Sequence, residues 1–180
     1  MSVAASTSMQ VPGVLPALAR RWGVKGAGGL AWLQRCGIAV PGAPNRVIHW
    51  HDGRCLRLGN SEFLIEQDDA TAAPLVPDEA PADANAWVLL RSDRSVVLSG
   101  HPWPTALAQG CSLDFERLRT EPDLVVMTLF AGISVTFVRE PVAGTDAPLS
   151  LRLWCDASHA TFLDQCLQQV AAPRLPGDRE

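Results

Sequence analysis

Lys25-Gly26-Ala27-Gly28-Gly29-Leu30-Ala31-Trp32-Leu33-Gln34-Arg35-Cys36-Gly37 has an echo later in the chain, Ser99-Gly100-His101-Pro102-Trp103-Pro104-Thr105-Ala106-Leu107-Ala108-Gln109-Gly110-Cys111. In both stretches a glycine closes an apolar segment, a Leu stands seven residues after it, and a Gly/Cys pair ends the run. Self-similarity of this kind points to a duplicated α/β unit and sets the architecture that residue-level readings must fit.

Working outward from the first copy, residues 22–25 read as a strand, 26–29 as a turn and 30–36 as a short helix stopped by Gly37. The connection Val40-Pro41-Gly42-Ala43-Pro44-Asn45 is extended or turned, because each proline disfavours helical geometry in the residue before it. Residues 46–50 and 54–58 then flank His51-Asp52-Gly53, an Asp-Gly hairpin signal, and 62–66 follows as another strand.

Around the second copy, 86–90 and 95–98 read as a hairpin-like pair, 105–109 as a short helix, and 113–115 leads into a charged loop. Residues 124–130 and 133–138 form a hairpin across Ala131-Gly132, and 149–155 alternates as a half-buried strand does. The closing helix starts near Asp156 or Ser158, which supply the cap, and runs to about Val170 before Pro173. Its predicted buried stripe is Phe162, Leu163, Cys166, Leu167 and Val170.

The first half thus reads β-α-β-β-β and the second β-β-α-β-β-β-α, an α+β architecture of two tandem ferredoxin-like units. The expected division is a flexible tail over 1–13, a first unit over 14–66, an exposed Ala/Pro/Asp-rich linker over 67–86, a second unit over 87–172 and a tail over 173–180.

At 180 residues and 47% hydrophobic, the chain is long enough to bury a substantial core. Fifteen basic against nineteen acidic residues give a net charge of -4, and without a basic run to track a phosphate backbone nucleic-acid binding is disfavoured. The start lacks a basic region followed by an apolar core, and no apolar run approaches the roughly 20 residues that cross a bilayer, so a cytoplasmic location without membrane contact is expected. Five cysteines, an odd number without C-x-x-C spacing, read as reduced packing residues.

Side chains with chemical potential are few. His49 and His51 share a strand face, yet two ligands do not make a metal site and no third has supporting spacing. Asp68-Asp69 and Asp78-Glu79 fall in the linker, where water is expected to solvate them fully. Cys111 sits where a helix ends, a poor place for a thiolate, and packing is the stronger reading there. The glycines at 26–29 resemble a phosphate cradle but match neither dinucleotide nor P-loop spacing, so a strand-to-helix turn is expected. No catalytic or metal-binding residue is therefore assigned. Among six tryptophans, Trp103 between two prolines is the candidate for outward presentation to a partner, with core packing as the competing reading.

The resemblance that ties these features together runs through Trp22-Gly23-Val24-Lys25-Gly26, Ala31-Trp32-Leu33, Pro44-Asn45-Arg46 and Leu58-Gly59-Asn60-Ser61-Glu62-Phe63-Leu64-Ile65. It continues in Leu98-Ser99-Gly100, Gln109-Gly110-Cys111-Ser112-Leu113-Asp114 and Leu151-Arg152-Leu153-Trp154. In this order the motifs resemble the gamma subunit family of heterotetrameric sarcosine oxidase. The resemblance implies a fold like the first domain of glycine-cleavage aminomethyltransferases, related to the folate-binding domain of the tRNA-modifying GTPase. It implies a non-catalytic role in assembly or stability beside alpha, beta and delta subunits that demethylate sarcosine to glycine. FAD, FMN, NAD and tetrahydrofolate would then belong to those partners, and none to this chain. The alternative from the same resemblance is a stand-alone folate-binding or aminomethyltransferase-like protein.

Overall fold

The structure is a computed structural model that describes residues 14–16, 19–100, 103–141 and 149–172. The expected tails over 1–13 and 173–180, with the Pro173 stop, lie outside the described residues. Among the described residues ten strands, β1 (Val14–Pro16), β2 (Arg20–Lys25), β3 (Arg46–Trp50), β4 (Gly53–Arg57), β5 (Glu62–Gln67), β6 (Trp87–Leu90), β7 (Arg94–Leu98), β8 (Val125–Phe130), β9 (Ile133–Arg139) and β10 (Leu151–Cys155), form two antiparallel sheets. Their orders are β3-β4-β5-β2-β6 and β1-β7-β10-β9-β8. Helices α1 (Gly29–Arg35), α2 (Trp103–Leu107), α3 (Glu116–Thr120) and α4 (Ala160–Ala171) complete the mixed α+β fold.

The two orders are the same plan. Aligning the glycine templates makes β1 the counterpart of β6, β2 of β7, and β3, β4, β5 of β8, β9, β10; in each half the leading strand crosses to pair in the other half's sheet. Residues 86–90 and 95–98 are therefore not the hairpin expected: β6 pairs with β2 and β7 with β10, in different sheets. The polar 91–93 segment between them is a crossing, whose composition does not differ from that of a turn.

Each sheet has one face covered by helix and one turned to the other sheet. On one outer face Trp22, Val24, Phe63 and Ile65 pack with Trp32 and Leu33 of α1. On the other, Leu98, Leu151, Leu153 and Phe137 pack with Leu107 of α2, Leu118 of α3 and Leu163 and Leu167 of α4. Between the sheets, Val47, Leu56, Leu64, Val125, Val138 and Trp154 form a third cluster. Near the approximate two-fold the edges join by a reciprocal pair of bonds: Val47 N donates to Asp123 O at 2.8 Å and Val125 N to Asn45 O at 2.9 Å.

Several local expectations change. The 67–86 segment is exposed over most of its length but is tied to the first half: Gln67 Nε2 donates to Ala73 O at 2.9 Å, Arg20 Nη2 to Ala70 O at 2.7 Å, and Val76 and Ala84 are buried against α1's cluster. It lies where the second half has a terminal helix, so buried apolar residues without periodicity were hidden among Ala and Pro. The charged loop after Phe115 contains the helical turn α3, which buries only Leu118. Asp156 does cap the closing helical segment, accepting from Ser158 N at 2.8 Å and Oγ at 2.6 Å at a 3-10 turn before α4. Phe162 leaves the predicted stripe and faces solvent, because Leu163, Cys166 and Leu167 already fill the buried arc.

Candidate functional site

The inner faces of the two sheets meet in two compartments related by the approximate two-fold, and the sequence fills them with opposite chemistry. In β5 the inner-facing residues are Leu64 and Glu66; their counterparts in β10 are Arg152 and Trp154. Arg54 of β4 corresponds to Thr136 of β9, His49 of β3 to Met127 of β8, and Leu58 to Glu140.

The first compartment is a closed charge cluster. Glu66, 0% exposed, accepts from Arg21 Nε at 2.5 Å, Arg152 Nη1 at 2.9 Å and Trp154 Nε1 at 2.7 Å. Arg54 Nη2 donates to both Asp68 oxygens, at 2.6 and 2.7 Å, and its Nη1 donates to Glu140, which takes Arg152 Nε at 2.6 Å. Three arginines and three carboxylates balance, as buried charge requires. Burial pushes the Glu140 pKa up, but the Arg152 hydrogen bond and the Arg54 and Arg152 charges prevail and hold its carboxyl below the usual range. His49 beside this cluster has its pKa lowered, first by burial and then by Arg54, and its Nε2 is buried without a partner among the described residues. Apart from His49 Nε2 and Arg54 Nε, these groups bond one another; the arrangement clamps two sheets.

The second compartment is open. Where the first has Glu140 and Arg152, it has Leu58 and Leu64, too short to fill the space. What remains is a cleft of about 730 Å³ with Leu58, Leu64 and Trp154 deep in it and Met127, Leu129 and Thr136 along the β8–β9 wall. Its polar rim includes Arg91, whose fork is taken by Asp93 at 2.6 and 2.7 Å. Met127 and Leu129 are 52% and 55% exposed, and on β6 Trp87 and Leu89 are 63% and 57% exposed. Exposed large apolar residues on two sheet edges are a surface suited to interaction.

The residues singled out in the sequence fall elsewhere. Trp103 is not presented outward: it is 0% exposed, begins α2, and donates its indole N–H to Ser99 O at 3.3 Å. Trp103 and Pro104 lie in the first turn of a helix rather than in an extended loop. Cys111 is buried in the same cluster. All five thiols are free, and burial pushes Cys55 up to about 12 and Cys155 up to about 11, against nucleophilic use. Asp68 joins the charge cluster; Asp69, Asp78 and Glu79 are exposed as expected, and hydrogen bonds from Thr71 hold the Asp69 carboxyl below its usual range. His49 and His51 gather no third ligand: no group of three His, Cys, Asp or Glu suited to a metal occurs among the described residues.

The glycine turn does not cradle an anion. Gly28 N donates to Asn85 O and Gly26 N to Ser61 O, both at 3.0 Å, and a Cβ on Gly28 would lie 1.7 Å from Ala84 O. The space a phosphate needs is occupied by the chain's own 84–85 backbone.

Arg21, Arg54, Glu66 and Arg152 went unnoticed in the sequence, although their positions on inner-facing strand parity were a signal. No helix among the described residues is long and apolar enough to cross a membrane. No protein-family model matches the chain, and no curated protein matches it. Among solved structures, it is similar to a chain of the heterotetrameric sarcosine oxidase from Corynebacterium sp. U-96, determined in complex with pyrrole 2-carboxylate: 19% identity, TM-score 0.64, covering 90% of this chain and 86% of that one. The fold is therefore shared, over most of both chains, with a chain of a multi-subunit oxidase.

Proposed function

We propose that this chain is a non-catalytic, gamma-type subunit of a heterotetrameric sarcosine oxidase, acting in assembly or stability of the complex. The observation that carries the reading is the likeness to one chain of such an oxidase over most of both chains: the two coverages, 90% and 86%, make the matched chain only slightly longer than this one, as a small subunit should be. The exposed apolar residues of β6 and β8 are the surface such a subunit needs for its partners. Reading the halves as tandem ferredoxin-like units is supported by the matched strand registers. The alpha, beta and delta subunits, the FAD, FMN, NAD and tetrahydrofolate assigned to them, and a cytoplasmic location belong to this same proposal.

The test is isolation of the tagged full chain from its source cells, followed by native mass measurement. Stoichiometric recovery with a flavoprotein that oxidises sarcosine is the expected result; a chain that never co-elutes with one refutes it. The open cleft favours one second reading, a folate-binding protein, since its volume suits a small molecule. Titration with tetrahydrofolate, followed by tryptophan fluorescence, separates the two because Trp154 lies in the cleft.

A further inference from the structure

Strand β8 is the edge of its sheet, and its register shows which backbone groups are free. The β8–β9 hairpin closes on Phe130 and Ile133 across Ala131-Gly132, both at positive φ (49° and 86°), the geometry of a two-residue type I′ turn. In such a hairpin Phe130, Thr128 and Val126 exchange bonds with β9, whereas Val125, Met127 and Leu129 point N–H and C=O away from it. Val125 confirms the alternation, because its N–H is the one that reaches Asn45 O. After that bond Pro44, Gly42 and Pro41 carry the chain away, and the outward groups of Met127 and Leu129 meet no backbone partner among the described residues.

The same two residues expose more than half of their surface along the wall of the cleft. An unpaired edge beside an apolar cavity is the arrangement that receives an extended peptide, with main-chain bonds supplying affinity and alternate side chains filling the pockets. Resting on the reading of this chain as an oxidase subunit, we propose that an extended apolar segment of a partner subunit adds as a strand to β8 at Met127 and Leu129. Its alternate side chains enter the cleft over Leu58, Leu64 and Trp154. On the rim Arg91 is paired with Asp93, with Asp156 and His159 nearby, so the apolar contacts are made deeper in the cleft. Strand addition also continues a row of bonds that the chain itself begins at Asn45 and Val125. The two-fold-related edge beside His49 is unsuited, because Arg54, Glu66, Arg152 and Glu140 fill the compartment next to it.

The experiment compares the free full chain with the chain assembled with its cognate oxidase subunits. Amide hydrogen exchange at Met127 and Leu129 is expected to slow by about tenfold or more on assembly. Leu129→Pro removes an outward N–H without breaking the β8–β9 ladder, and Thr136→Trp fills the cleft; both are expected to leave the free chain's thermal melt in place and to lose the subunit from the complex. Should the proline variant fold poorly, Met127→Glu, at a side chain already more than half exposed, serves the same purpose. A complex that forms while these amides exchange as in the free chain, or that tolerates the variants, overturns strand addition and leaves the subunit reading standing. Protection by tetrahydrofolate alone, with no effect of Leu129→Pro, points to a small-molecule cleft and overturns it too. A wild-type chain that never assembles refutes both.

Discussion

Glu66→Ala tests the charge cluster most directly. The carboxylate is fully buried and accepts from Arg21, Arg152 and Trp154 at 2.5, 2.9 and 2.7 Å. Its removal turns a balanced set of three arginines and three carboxylates into one with a net positive charge. Breaking a buried pair by deleting one partner costs about 3–5 kcal/mol, because the remaining charge has neither water nor counter-ion. For a chain of this length 1 kcal/mol moves the melting temperature by about 2–4 °C, so the expected drop is roughly 6–20 °C. Urea unfolding followed by tryptophan fluorescence gives the free energy, with circular dichroism confirming a common native state. Glu66→Met combined with Arg21→Met restores charge balance and is expected to recover roughly half of the loss or more, as coupled residues do in a double-mutant cycle. A single substitution costing less than about 1 kcal/mol, or a double one no better than the single, refutes the reasoning.

Three further outcomes follow from the same coordinates. The lowered His49 pKa means that the unfolded chain binds its proton first, at the ordinary value of 6.5, so stability falls as pH drops below that value and continues to fall until the folded-state pKa is passed. His49→Gln should flatten that part of the pH–stability curve, measured by urea midpoints. Gly28→Ala places a methyl against Ala84 O and should cost about 1–3 kcal/mol or more, whereas Gly42→Ala, with nothing within 4 Å, should stay within about 0.5 kcal/mol. Trp103→Ala empties a fully buried site and should cost about 3–5 kcal/mol of unfolding free energy in the isolated chain; a surface-like response under 1 kcal/mol would contradict its burial.

Elements made by local pattern were legible in the sequence. The 46–50 strand is β3 to the residue, the Ala-Gly turn joins β8 to β9, a hairpin joins β3 to β4 where Asp-Gly signals one although its loop is His51-Asp52 with Gly53 already in β4, and the repeated glycine templates lie at corresponding strand-to-helix turns. Turn chemistry, alternation and helical spacing depend on residues within one or two turns of each other, so they survive without the fold. Trp103 shows the limit: two prolines and no regular pattern describe both an exposed loop and a buried helix start, and only the residues packed around it distinguish them.

The functional surface lay beyond that limit for the same reason. Glu66 and Leu64 alternate in one strand like any half-buried pair; that one meets two arginines and the other an open cleft depends on Arg152 and Trp154, nearly 90 residues away. Local sequence thus decided that there are two similar α/β halves, because hydrogen-bond geometry and side-chain periodicity are short-range. The exchange of β1 and β6 between the halves, the closed charge cluster and the open apolar cleft were decided by the tertiary structure, because burial and charge pairing are set by residues that become neighbours only when the two sheets meet.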